Sequence, residues 1–184
     1  MRKTFFVIML AAFTLVMAAC SSNSEKKQDQ GNDEKAEVNA ESASGFTTYE
    51  NKEYGFSIAY PPICHPQNND AEMEKSFRGK LFIGESAMLT GQCLVKDDGT
   101  AYSKDYFDMQ YEFAAATSDG AKLAKNEKSD TEFTVKSANS EMVYNQHVIF
   151  KNGRLYRVDY TYPVSVRDKH DKYVDEVLAS LKVK

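Results

Sequence analysis

Two cysteines and three histidines carry the widest chemical range in the body of this sequence: Cys64, Cys93, His65, His147 and His170. Cys64 stands next to His65. Neighbours on an extended chain point to opposite faces, so this adjacency does not by itself make a nucleophile–base pair. The histidines are scattered, and none has the spacing of a zinc motif. A composite metal site joining His147 or His170 to Asp168 or Asp171 stays open beside the commoner reading of a packed, satisfied histidine. Asp97-Asp98-Gly99 has two acids of a calcium loop but lacks its further ligands, and it reads as a turn. No serine lies in a nucleophile elbow, and no glycine-rich stretch forms a phosphate cradle. The expectation is a chain with no catalytic residue, no metal and no cofactor.

A further cysteine, Cys20, has a different setting. Arg2 and Lys3 precede an apolar run over residues 5–19, broken only by Thr14. A positive start followed by an apolar run of this length is the pattern of an export signal, and it is short for a membrane-spanning helix. Ala18 and Ala19 place small residues before Cys20. The stretch Val16-Met17-Ala18-Ala19-Cys20 resembles a bacterial lipobox, with Met17 where Leu is commoner. The resemblance implies a signal peptide over residues 1–19, cleavage after Ala19, and diacylglycerol and a fatty acyl chain such as palmitate on Cys20. Two or three acyl chains anchor stably in a bilayer, whereas one binds marginally. Ser21 follows the cysteine where Asp would argue for inner-membrane retention in enteric bacteria. The expected address is thus a lipid-anchored position, on the outer membrane in a Gram-negative cell.

Export bears on the other cysteines. Outside the cytosol, two cysteines near the ends of candidate strands read as one disulfide, Cys64–Cys93. Its loop of about 30 residues would contribute roughly 3.5 kcal/mol in the chain-entropy account. Two free thiols, or a reactive Cys64, are the alternatives. Residues 20–45 are expected to be the lipidated cysteine and a disordered tether. From Ser21 onward this stretch has no aromatic residue and only Val38 as a larger apolar one, too little to offset the entropy of ordering. As a flexible coil it would reach roughly 25–30 Å.

Residues 46–184 form the expected folded domain. All 11 tyrosines and eight of the 11 phenylalanines fall here, a density that signals a packed, strand-rich interior. Charge is near balance, 21 acidic against 18 basic residues, which argues against a nucleic-acid footprint or a polybasic lipid patch.

The elements that must position these side chains can be read from periodicity. Residues 46–50 and 54–60 form a hairpin; Tyr54, Phe56, Ile58 and Tyr60 alternate with small residues, and Pro61-Pro62 ends the strand. A loop follows with a helical turn near residues 71–75. Strands are expected over 80–84, 88–96 and 131–137. Ser103 begins a helix carrying Tyr106, Phe107, Tyr111 and Ala114, with Gly120 its stop. Asn152-Gly153 predicts a two-residue type I′ turn, because both central positions need positive φ. This pairs Phe150 with Leu155, Val148 with Arg157, His147 with Val158 and Val143 with Tyr162. Val143, His147, Ile149, Tyr156, Val158, Tyr160 and Tyr162 then share the face expected to be the main core. Ser165 and Asp168 suggest a capping box opening a final helix, with Val166, His170, Tyr173, Val174, Val177, Leu178 and Leu181 on its buried stripe.

This order of parts is similar to that of the PsbP-like superfamily. The similarity rests on Tyr54-Gly55-Phe56-Ser57-Ile58-Ala59-Tyr60-Pro61, on Gly153-Arg154-Leu155-Tyr156-Arg157-Val158, and on Tyr162-Pro163 before a helix ending Val177-Leu178-Ala179-Ser180-Leu181-Lys182. Leu181 stands where the family has Phe. The resemblance implies an α+β fold, an antiparallel β-sheet flanked by helices in an α/β/α sandwich. It also implies a non-enzymatic role, without assigning any functional residue. The expectation is a membrane-tethered accessory lipoprotein of the cell envelope that engages another envelope protein. The alternatives are a solute- or metal-binding lipoprotein with a pocket beside the sheet and, last, a hydrolase assembled from distant residues.

Overall fold

The computed structural model describes residues 38–41, 45–68, 77–116 and 122–184. Cys20, the export signal, most of the tether, the turn expected near residues 71–75 and Gly120 lie outside the described residues. In chain order the strands are β1 (Val38–Glu41), β2 (Thr47–Asn51), β3 (Phe56–Tyr60), β4 (Cys64–Pro66), β5 (Gly79–Gly84) and β6 (Met88–Leu94). Helix α1 (Lys104–Ala115) follows, then β7 (Lys122–Lys128), β8 (Glu132–Ala138), β9 (Met142–Lys151) and β10 (Arg154–Pro163). Helix α2 (Arg167–Ala179) and β11 (Lys182–Val183) end the chain. Every strand pairing among the described residues is antiparallel. A seven-stranded sheet runs β4-β5-β6-β10-β9-β8-β7, and a four-stranded sheet runs β1-β2-β3-β11.

The β9–β10 hairpin turns where Asn152-Gly153 predicts it. Asn152 has φ 52° and Gly153 φ 70°, the positive pair a type I′ turn demands. The register is the expected one: Phe150 faces Leu155, Val148 faces Arg157, His147 faces Val158 and Val143 faces Tyr162. Gly153 has a second reason to be glycine. The Tyr102 amide donates to its carbonyl at 2.8 Å, and a Cβ there would meet the Ala101 Cβ at 2.3 Å.

The register sorts side chains onto two faces. On the inner face Tyr156, Val158, Tyr160 and Tyr162 are buried with Phe56, Ile58, Phe82, Leu89, Val174, Val177 and Leu178. The small sheet and α2 close this face. The two sheets touch at Gly91, where a Cβ would lie 2.5 Å from the Ile58 Cδ1. On the opposite, outer face Val148 and Leu155 join Phe107, Phe133 and Val135 in a second core beneath α1. Helices and strands thus form an α+β sandwich.

Both helices begin next to a serine, but only one serine caps. The Ser103 hydroxyl accepts from the Tyr106 amide at 3.2 Å and starts α1. The capping box expected at Ser165 does not form. Ser165 lies within a 3₁₀ turn, Val164–Val166, and α2 has Val166 at its N-cap without a side-chain bond. The Val164 amide donates to the Glu141 carbonyl at 2.8 Å, holding the chain to the start of β9 before the helix can begin. Asp168 remains in the first turn of α2, where its charge suits the helix dipole. At the far end Ser180 fastens helix to sheet: its hydroxyl donates to the Val177 carbonyl at 2.6 Å and accepts from the Ala59 amide at 2.8 Å.

Val38–Glu41, expected within the disordered tether, is a strand paired with β2. An edge strand offers a row of free backbone groups, and a polar segment can pair with it without any apolar pattern of its own. The strands β4, β7 and β11 are likewise short or polar edges.

Two glycines separate the contributions of turn strain and packing. Gly99 has φ 74° and nothing within 4 Å of the point where a Cβ would stand, whereas Gly153 has φ 70° and the Ala101 contact. Gly99→Ala is expected to cost about 1 kcal/mol, the left-handed strain alone. Gly153→Ala adds overpacking and is expected to cost about 2–4 kcal/mol. Urea denaturation with matched slopes checks this; equal midpoint shifts would refute the packing role.

Candidate functional site

A groove of about 460 Å³ lies beside the inner face, between the β7–β8 edge and the C-terminal half of α2. Its polar lining includes Glu127, Glu132, Thr134, Lys136, His147 and Asp175, and Leu178 and Ala179 form an apolar wall. The cross-strand register sets Thr134 opposite His147 and Lys136 opposite Asn145. The His147 Nδ1 lies 2.7 Å from the Leu178 carbonyl, which can only accept, so Nδ1 carries the hydrogen. The other ring nitrogen, Nε2, is 3.5 Å from Glu132 Oε2. Lys136 pairs with Asp175 and links β8 to α2.

This groove presents polar side chains to a small solute. An imidazole–carboxylate pair needs a nucleophile to activate. The nearby Ser129 hydroxyl is taken up by its own turn, donating to the Glu132 carbonyl at 3.3 Å and accepting from the Thr131 and Glu132 amides at 3.3 and 3.1 Å. His147 and Glu132 together supply two metal-ligating groups, fewer than a zinc site uses. Among the described residues no three His, Cys, Asp or Glu side chains gather to hold a metal.

The remaining candidates are dispersed. His65 is exposed on β4, opposite Ile83. His170 is wholly buried on α2. Its Nε2 lies 3.1 Å from the Glu85 carbonyl and therefore carries the hydrogen. Its Nδ1 accepts from the Tyr160 hydroxyl at 2.6 Å. The Cys64 thiol in turn approaches that hydroxyl at 3.9 Å. Beside this chain the Tyr162 hydroxyl donates to Asp171 at 2.6 Å, and Arg167 holds the other Asp171 oxygen at 2.9 Å. Burial pushes the thiol of Cys64 and the phenols of Tyr160 and Tyr162 up, and pushes His170 down, so each favours its neutral form. These groups make an interior network that satisfies its own polar atoms.

The disulfide expectation is corrected by the register. Cys64 sits opposite Gly84, beyond the start of β6, whereas Cys93 sits opposite Tyr156 near the end of β6. About five or six residues of strand separate the two levels, roughly 17–20 Å. A disulfide needs Cα atoms within about 7 Å. Both are buried free thiols.

Two surfaces that sequence patterns do not single out lie on the outer side of the large sheet. In one, β5, β6, β10 and β9 align Ile83, Met88, Thr161 and Tyr144 in a row. Ile83, Met88 and Tyr144 are 44%, 48% and 42% exposed. Behind the row Asp159 accepts from Gln146 at 2.6 Å and from Thr90 at 3.2 Å, and pairs with Arg157 at 2.6 Å. The other surface is the outward side of α1, where Met109 is 53% and Phe113 81% exposed. The signal for the row is present in the alternation of β9 and β10, but its neighbours on β5 and β6 are known only once the strand order is known.

No known family's sequence profile matches the chain, and no curated protein matches it. Solved structures do. The solution structure of cyanobacterial PsbP (CyanoP) from Synechocystis sp. PCC 6803 aligns with a TM-score of 0.50 at 16% identity, over 80% of this chain and 98% of that one. The fold is PsbP-like. A crystal structure from Bacteroides thetaiotaomicron VPI-5482 aligns at a TM-score of 0.39 and 16% identity, over 70% of this chain and 45% of that one. The likeness to CyanoP concerns the architecture, and the β9–β10 hairpin and the Ser180 clasp have structural explanations within it.

Two outcomes follow from the buried groups. Thiol labelling of the native protein without reducing agent is expected to leave Cys64 and Cys93 unmodified, and to modify both after unfolding, still without reductant. Persistence of a bonded pair in the unfolded chain would refute the free thiols. For His170 the folded group titrates below its ordinary value of 6.5, so the unfolded chain takes up the proton first as pH falls. Its contribution to stability is therefore present above pH 6.5 and is lost as pH falls below 6.5. Stability measured across that window should decline in the parent and decline less steeply in His170→Gln. Identical slopes would remove His170 as the cause.

Proposed function

We propose that this chain is a lipid-anchored, non-enzymatic accessory protein of the bacterial envelope that binds another envelope protein. The observation that carries the binding role is the row Ile83–Met88–Tyr144, three large side chains left substantially exposed on one sheet face. Aligned exposed apolar side chains on a folded domain mark interaction surfaces more often than scattered ones do. Tyr144 is a residue type favoured where partners bind tightly, and so is Arg157, four residues along the same face of the sheet. The polar groups around Asp159 are already hydrogen-bonded to one another, so a partner can cover them without leaving buried groups unpaired.

The anchor rests on the export pattern of residues 1–19 and on Cys20. No helix among the described residues is long and apolar enough to cross a membrane. The PsbP-like fold accords with an accessory role. A second reading, binding of a small solute, is favoured by the groove at His147 and Lys136.

The test uses the full chain in its native cell. A photo-reactive amino acid at position 144 is expected to yield a recurring adduct with one envelope protein in membranes, an adduct that Met88→Asp depletes. Cys20→Ser is expected to move the protein from the membrane to the soluble fraction. Absence of any protein adduct at position 144 would overturn the binding role, and membrane retention of the Cys20→Ser variant would overturn the lipid anchor.

A further inference from the structure

Helix α1 is packed as though it had two apolar sides. Phe107 is buried beneath it against Phe133 and Phe150, with ring centroids 5.4 and 5.5 Å apart. Asp108 ties the helix to the β7 edge, at 2.6 Å from Lys104 and 2.7 Å from Lys128. At 100° per residue, Met109 and Phe113 fall within about 40° of each other on the side opposite Phe107, and both are exposed. Tyr102 stacks on Tyr106 at 4.3 Å, and both are half-buried against the second core. A solvent-facing helix side normally carries polar residues. Here Phe113 is 81% exposed, which costs solubility and contributes nothing to the core.

Charge gives this stripe a direction. Asp105 and Glu112 are exposed and lie together along one flank, about 40–60° from Met109 on the helical wheel. Of the basic residues of this region, Lys104 and Lys128 are held by Asp108 and lie over the Phe107 and Tyr111 rings, whereas Lys96 lies over the Tyr102 ring, before the helix begins. The exposed flank beside Met109 and Phe113 is therefore acidic. An apolar helix stripe with an acidic border complements an apolar groove bordered by lysine or arginine.

We propose that the outer side of α1 is a docking element that inserts Met109 and Phe113 into an apolar groove of a partner protein rimmed by basic side chains. The inference rests on the proposed protein-binding role and names the chemistry of the partner. The stripe and the row at Tyr144 lie on the same side of the large sheet, so one partner can engage both.

The experiment places the photo-reactive amino acid at position 109 of the full, lipidated chain in intact cells and maps the cross-linked residues by mass spectrometry. The expected adduct is the protein captured at position 144, joined through an apolar segment flanked by Lys or Arg. Phe113→Asp is expected to lower adduct yield at least about tenfold, with urea midpoints confirming an intact fold. Asp105→Lys/Glu112→Lys, which leaves the apolar stripe in place, is expected to lower the yield several-fold, and raised salt to weaken the parent more than this variant. Adducts only with lipid, with a second copy of this chain, or with an acidic segment would overturn the proposal. So would parental yields in both variants. An adduct at position 144 with none at 109 would sink this surface while leaving the protein-binding role standing; no protein adduct at either position would end both.

Discussion

The two-residue turn at Asn152-Gly153 is the constraint on which the remaining structure depends. In a strand the side-chain period is two, so a slip of one residue would exchange the faces of β10 entirely. The observed register sends Tyr156, Val158, Tyr160 and Tyr162 inward and Arg157 and Asp159 outward. A slipped hairpin would instead bury a salt bridge and expose three tyrosines. Positive φ at both turn residues and the close approach of Ala101 to Gly153 make the alternative registers costly. Because β10 is flanked by β6 and β9 in the middle of the large sheet, its register also sets which residues of β5, β6 and β8 face the core.

The inner side spends its polar groups on itself. Tyr160 and His170 bond within the core, His170 reaches the Glu85 carbonyl, and Tyr162 reaches Asp171. Each link joins α2 to the sheet or to the β5–β6 turn, and burial holds the thiol, the phenols and the imidazole neutral. A group that must ionise or receive a substrate is poorly served by such a place. The cysteine, histidines and acids that look chemically richest in sequence therefore act mostly as fasteners between layers. His147 is the exception in location, since it lines the groove, yet its Nδ1 is also committed to the end of α2.

What can be read from sequence is what strong local patterns decide: the hairpin register, the inward face of β10, the Ser103 cap and the buried stripe of α2. What cannot be read depends on strand order. The disulfide expectation takes Cys64 and Cys93 as ends of nearby strands, and only the pairing of β4 with the Gly84 end of β5 reveals that they stand at different ends of the sheet. Val38–Glu41 pairs through its backbone, which leaves no apolar periodicity to detect. The Ser165–Asp168 box has the right letters, but the end of β10 and the Val164–Glu141 bond impose a 3₁₀ turn first. In α1 apolar residues on both sides blur the helical period: Tyr106 packs with Phe107 against the second core, while Met109 and Phe113 face outward.

The groove is invisible in sequence for a related reason: its walls come from a turn at Ser129, three strands and the last turns of α2. Lys136 is matched to Asp175 across the gap, and the His147 ring faces Glu132 on the neighbouring strand. A solute would have to exchange those partners for its own, gaining only the difference between two similar sets of interactions. The outer side has no such competition at its apolar residues. Ile83, Met88, Met109, Phe113 and Tyr144 expose large surfaces to water, and covering them returns free energy roughly in proportion to area at little polar cost. That asymmetry, matched charges in the groove against uncovered apolar side chains outside, is the physical ground for placing recognition of a protein above recognition of a small molecule.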